Sequence, residues 1–195
     1  MEESILTFWF GPDVESVSQE RARRWFSSNP ANDREIAQRF GKLYKAAAKG
    51  AFREWCTRPR GRLALVILLD QFSRNLNRES PLAWAQDAVC QELAIEGVEL
   101  GQDMALAPAE TIFLYMPFQH SEIREHQDRS VELYQALSER YPTSKLVRGS
   151  LESAEYHREL VVKFGRFPHR NRILGRETTA DEQAYLDGLP KGKPF

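Results

Sequence analysis

Three short stretches concentrate the side chains that can do chemistry. DQFSRN, Asp70 to Asn75, supplies Asp70, Gln71, Arg74 and Asn75 within six residues. On a helix Asp70 and Arg74 share a face, as do Gln71 and Asn75. Such a face makes either an internal ion pair or a polar floor beneath a ligand. MPFQHSE, Met116 to Glu122, puts Gln119 and His120 just ahead of Ser121, a candidate helix N-cap. A histidine at a helix N-terminus can meet an anion or move a proton. FGRFPHRNRILGR, Phe164 to Arg176, carries Arg166, Arg170, Arg172, Arg176, His169 and Asn171, and no acid. Guanidinium forks suit phosphate and carboxylate. His157 lies just upstream.

These types nominate His120 and His169 as acid–base groups. Asp70, Gln71, Arg74, Asn75, Gln119, His157, Arg166, Arg170 and Asn171 are the candidate ligand-binding residues. The expected ligand is an anionic small molecule bearing phosphate or carboxylate. No metal or cofactor is expected. His120, His157 and His169 match no strong metal spacing, and no GxSxG, Walker or GxGxxG motif occurs. The structural alternative stays open. Arg74 then pairs with Asp70, and the loop arginines bridge carboxylates such as Asp70 or Glu110.

The elements that must position these groups read as helices. Ser18 or a neighbour starts one that reaches Trp25 and Phe26. An Asn32–Glu35 capping pair opens another, with Ile36, Phe40 and Ala47 at helical spacing. LALVILL, Leu63 to Leu69, is leucine-rich and runs on through Phe72, which favours a buried helix over a strand. Ser80-Pro81 and Pro108 open further helices, and Pro117 ends the latter. Ser121 caps a long helix, Tyr141-Pro142 breaks it, and Gly165 ends the helix that carries His157. Thr179 and Glu182 form a last capping box. The fold class is all-α: about eight helices stacked as antiparallel hairpins.

With 195 residues, 42% of them hydrophobic, the chain reads as a single helical domain over 1–195, its tail loose from about residue 188. Cys56 and Cys90 are isolated and read as core fillers. The acidic N-terminus lacks a signal-peptide pattern, and the longest apolar run is far below the roughly 20 residues a bilayer needs. A cytoplasmic protein with no membrane partner is the expectation. The net charge is −1, so everything outside the arginine-rich segment is net acidic, which argues against nucleic acid as a partner.

FWFG (Phe8 to Gly11), LLDQFSRN, FLYMPFQHSE and FGRFPHRNRILGR, in that order, resemble the bacterial domain of unknown function number 924. The resemblance spans about Ile5 to Leu186. It implies a helical fold similar to tetratricopeptide-repeat proteins, and no established activity. The family pattern reads LDQFPRN and MPLEHSE, so Ser73, Phe118 and Gln119 depart from it. Glutamine at 119 lacks the carboxylate of a general base. Three functions remain in play at this level: a small-molecule site with or without catalysis, a scaffold clamping an acidic peptide, and a purely structural polar network. The oligomeric state is open.

Overall fold

The computed structural model describes residues 1–14, 17–27 and 29–189, with Gln19 described by its backbone. The described residues form helices and turns, with no strand among them. The fold is all-α, as the patterning indicated.

α1 (Glu2–Phe10) lays Ile5, Leu6, Trp9 and Phe10 into the core and stops at Gly11, whose φ of 93° suits glycine. α2 (Gln19–Trp25) starts at Ser18, whose hydroxyl accepts from the Arg21 amide. α3 (Pro30–Ala47) is capped by Asn29, not by the expected Asn32. The Asn29 side chain accepts from the Ala31 and Asn32 amides, and Pro30 occupies the first helical position.

α4 (Pro59–Val66) runs into a π turn over Ile67–Gln71 and on into α5 (Phe72–Leu76). In the π turn the Phe72 N–H reaches the Ile67 carbonyl, five residues back. Every residue from Gly61 to Ser73 is buried. A helix that is apolar all round belongs at the centre of a fold. Ser80 caps only a 3₁₀ turn, Pro81–Trp84, so α6 (Asp87–Glu99) starts later than Ser80-Pro81 suggested.

α7 (Pro108–Gln119) is the second central helix, buried from Ala109 to Gln119. It runs through Pro117, which had been expected to end it. Proline's fixed φ fits a helix, and the only bond it removes is the one to the carbonyl four residues back, so one more turn survives. α8 (Arg124–Arg140) begins after Ile123. Ser121 sits two residues ahead of that start and accepts from the Ile123 amide at 3.1 Å. α9 (Lys145–Phe164) packs against α8 as a hairpin and ends at Gly165, φ 70°. α10 (Asn171–Leu174) and α11 (Ala180–Asp187) close the described chain, the latter with the Thr179–Glu182 capping box.

The expected eight helices thus become eleven α-helices among the described residues, joined by short 3₁₀ and π turns. Consecutive packing of α7, α8 and α9 is compatible with stacked hairpins. The main core joins α1 through α9, and Phe8, Trp9, Phe10, Trp25, Phe40, Phe72 and Phe113 interlock in it. A smaller cluster of Leu160, Val161 and Phe167, with Phe164 and Tyr185, pins the loop after α9. No helix among the described residues is long and apolar enough to cross a membrane. Most of the tail expected to be loose, residues 190–195, lies outside the described residues.

Candidate functional site

The π turn packs against α7, which brings Asp70 beside His120, the residue that caps the C-terminus of α7. Asp70 is completely buried. An unpaired carboxylate there would destabilise the fold by several kcal/mol. Its oxygens are fully engaged. Oδ1 accepts from His120 Nδ1 at 2.8 Å and is ion-paired with Arg74 Nη1 at 2.9 Å, and Oδ2 accepts from Gln71 Nε2 at 2.5 Å. Burial pushes the Asp70 carboxyl up, but Arg74, His120 and the Gln71 amide together outweigh it and hold it below the usual range.

An ionised carboxylate only accepts. His120 therefore carries its proton on Nδ1, and Nε2 is left as the basic nitrogen. Among the described residues no group bonds to Nε2. Burial, then the charge of Arg74, lowers the His120 pKa, so the ring is neutral at pH 7.

Arg74 turns its other nitrogen to Asp87, at 3.0 and 3.1 Å from the two carboxylate oxygens, and holds the Asp70 carbonyl at 2.8 Å. Burial disfavours its charge, but Asp70 and Asp87 more than restore it. Asp87, at the start of α6, is pushed up by burial against the pull of Arg74, with Asp70 adding to the push.

Arg170 reaches the same centre from the loop after α9. Its Nη2 donates to the His120 carbonyl at 3.0 Å, while its Nη1 lies 3.5 Å from Asp87. The guanidinium sits over Phe167 and Trp84, at 4.6 and 5.4 Å from the ring centres. Its Nε is buried with no acceptor among the described residues. Burial, then Arg74, pushes its pKa down to about 10. This is an under-partnered buried cation.

The three motifs therefore meet at Asp70, Gln71, Arg74, His120 and Arg170. The other sequence candidates lie elsewhere. Asn75 donates to Asp33 at 2.8 Å. Gln119 reaches the Ser150 carbonyl at 3.4 Å and lies beside Ser153. His157 donates to the Ser153 carbonyl at 2.7 Å and stands edge-on to Phe167. His169 tilts against Phe167, and burial, then Arg170 and His157, pushes its pKa down to about 3. Arg166 and Asn171 both hold Glu182. Arg176 forks onto Glu122, which also accepts from the Phe167 amide, and Arg172 pairs with Glu79. Glu110, expected as a partner for the loop arginines, instead binds Arg60 and the Ala107 amide.

Sequence reasoning missed Asp87, Glu122 and Glu182 as partners. Asp87 is 83 residues from Arg170 and Glu122 is 54 from Arg176, so no local spacing announces either pair. Glu182 was legible only as a capping residue.

Burial pushes the Cys90 thiol well up, so it stays protonated beside this centre. Among the described residues no group of three or more His, Cys, Asp or Glu side chains could hold a metal ion. The arrangement offers one basic imidazole nitrogen, oriented by a buried carboxylate, on the residue whose backbone carbonyl the Arg170 guanidinium holds.

Together these features define an all-helical protein with a buried Asp–His–Arg centre where its two central helices meet. The chain matches, over residues 5–189, the model of a family described as bacterial protein of unknown function (DUF924), and it belongs to that family. It is similar to a solved structure, a protein of unknown function, ATU0120, from Agrobacterium tumefaciens. The two are 35% identical, with a TM-score of 0.82 over 96% of this chain and 97% of that one. No curated protein matches the chain.

Proposed function

We propose that this chain binds a small phosphate- or carboxylate-bearing molecule at Arg170 and that His120 exchanges a proton with it. The supporting observation is the Asp70–His120 pair at 2.8 Å, which leaves Nε2 without a partner among the described residues. A buried carboxylate that fixes the tautomer of a histidine is the orienting arrangement used in general-base catalysis. Arg170 supplies the charge attraction. Its 3.5 Å approach to Asp87 is too long for a strong charge-assisted bond, so an anion would satisfy it better. The π turn fits this reading, since such turns recur at functional sites. The proposal takes the chain as a single cytoplasmic domain. It does not use His169, whose low pKa makes it a weak base, or Arg166 and Asn171, which Glu182 holds.

A thermal-shift series with phosphate- and carboxylate-bearing metabolites tests the binding. Saturation at 100 times the dissociation constant stabilises by about 2.7 kcal/mol. The shift should vanish in Arg170→Gln and persist in Arg166→Gln. Loss of the shift in neither variant, or in both, removes Arg170 as the anion site.

One specific observation favours a purely structural network as the second reading. Arg166, Arg172 and Arg176 each hold a carboxylate, and Asp70, Asp87, Arg74 and Arg170 balance in charge. On that reading no compound shifts the protein, and Arg170→Gln lowers the melting temperature without changing any binding.

A further inference from the structure

We infer a separate phosphoryl-binding site in the cleft bounded by α1, α2 and α3, independent of the His120 centre. The cleft measures about 300 Å³, and Phe8, Arg21, Arg24, Glu35 and Arg39 line it. Each guanidinium is positioned by part of its hydrogen-bonding capacity. Arg21 Nη1 donates to the Phe8 and Trp9 carbonyls, at 2.8 and 3.4 Å, and so caps the end of α1. Arg24 Nη2 donates to Asn32 at 2.8 Å. Arg39 Nη1 donates to Glu35 at 2.9 Å, and its guanidinium lies 4.7 Å from the Phe8 ring centre.

A guanidinium carries five N–H donors, so most donors at each arginine remain for a ligand. Fixing a side chain through one bond removes the ordering penalty from the binding step. Glu35 neutralises Arg39, but among the described residues no carboxylate pairs with Arg21 or Arg24. Two positive charges facing one cleft, without a carboxylate partner among the described residues, select a doubly charged oxyanion. A phosphoryl group, free or as a monoester, carries about that charge at pH 7 and presents three acceptor oxygens. A second observation points the same way. A smaller hollow of about 10 Å³ shares Phe8, Arg21 and Arg24 with the cleft and is also lined by Trp9, whose indole N–H is buried without an acceptor among the described residues.

Calorimetric titration of the full chain at low ionic strength tests this, with inorganic phosphate and a simple phosphate monoester as probes and chloride as control. The expected result is saturable binding that weakens about tenfold or more in Arg24→Gln and again in Arg39→Gln, and is unchanged in Arg172→Gln, whose guanidinium pairs with Glu79 at the surface. Arg21 is left intact because it caps α1. Melting curves in phosphate-free buffer establish that both variants are folded, and Arg39→Gln carries the test if Arg24→Gln is not. Tighter binding of the monoester marks an esterified ligand, and tighter binding of inorganic phosphate marks the free ion. Equal affinity in wild type and both folded variants overturns the assignment. So does binding that Arg170→Gln abolishes and Arg24→Gln retains, which would move the anion to the His120 centre.

Discussion

Asp70 is the residue on which the centre depends. It is buried, ionised and shared by His120, Arg74 and Gln71. Replacing it with asparagine keeps the shape and removes the charge, which leaves Arg74 buried with Asp87 alone. Breaking a buried pair from one side destabilises by about 3–5 kcal/mol. Urea unfolding of Asp70→Asn should show a loss of that order. His120→Gln should behave differently. Its amide can still donate to Asp70, so stability should fall by only about 1 kcal/mol, while any proton-transfer activity disappears. A loss in His120→Gln as large as in Asp70→Asn would mean that the imidazole is chiefly structural. The candidate site was only partly readable at this scale. Asp70, Arg74, His120 and Arg170 stood out by type and spacing. Asp87, which joins Arg74 to Arg170, did not, because an acid at the start of a helix is unremarkable until another helix brings arginines to it.

At the scale of elements, the α4–π–α5 helix must fit between its neighbours with little clearance. Gly61 has Trp55 directly against it, and a Cβ there would lie 2.3 Å from the Trp55 carbonyl oxygen. Backbone cannot move aside as a flexible side chain can. Gly61→Ala should therefore destabilise by about 1–3 kcal/mol, and a denaturation midpoint matching wild type would refute the tight packing. α11 depends on its cap. Thr179 accepts from the Glu182 amide while Glu182 reaches back to the Thr179 amide and also holds Arg166 and Asn171. Thr179→Ala should lower helix stability by about 1 kcal/mol. Amide exchange within α11 should then speed up while the exchange of α7 stays unchanged. The Thr179–Glu182 box was visible in sequence because a capping box is local. Its second task, anchoring the arginine loop, was invisible because Arg166 comes from the other side of that loop.

Across the whole molecule, all four histidines, His120, His126, His157 and His169, have lowered pKa values, with burial as the first cause of each. The unfolded chain protonates histidine near pH 6.5, while the folded chain resists, down to about 3 for His169. Between those values the unfolded state binds more protons, so stability falls as pH falls. Each such histidine contributes a slope of up to about 1.4 kcal/mol per pH unit. Unfolding free energies measured between pH 6.5 and 4.5 should therefore decline steeply, and His169→Gln should flatten the decline by about one proton. Below the ordinary carboxylate range Asp70, Glu122 and Glu182 add to the loss, since their pKa values are also lowered. Asp87 opposes them, because its pKa is raised. A flat profile from pH 6.5 to 4.5 would contradict the buried neutral state of these rings.

The residues themselves determined what short range can determine. Leucine-rich LALVILL favoured a buried helix over a strand, Gly165 favoured a stop to α9, and Ser18 or a neighbour and Thr179 favoured helix starts, because capping, periodicity and φ preference act within a few residues. The same local logic placed a cap at Asn32 and a stop at Pro117. A better cap at Asn29 and the burial of α7 overruled it. Only the tertiary structure decided which carboxylate each arginine would hold. Arg166, Arg172 and Arg176 went to Glu182, Glu79 and Glu122, and Arg170 alone reached His120. Charge pairing acts through space between chain-distant groups, and a guanidinium takes the acid that packing brings within about 3 Å.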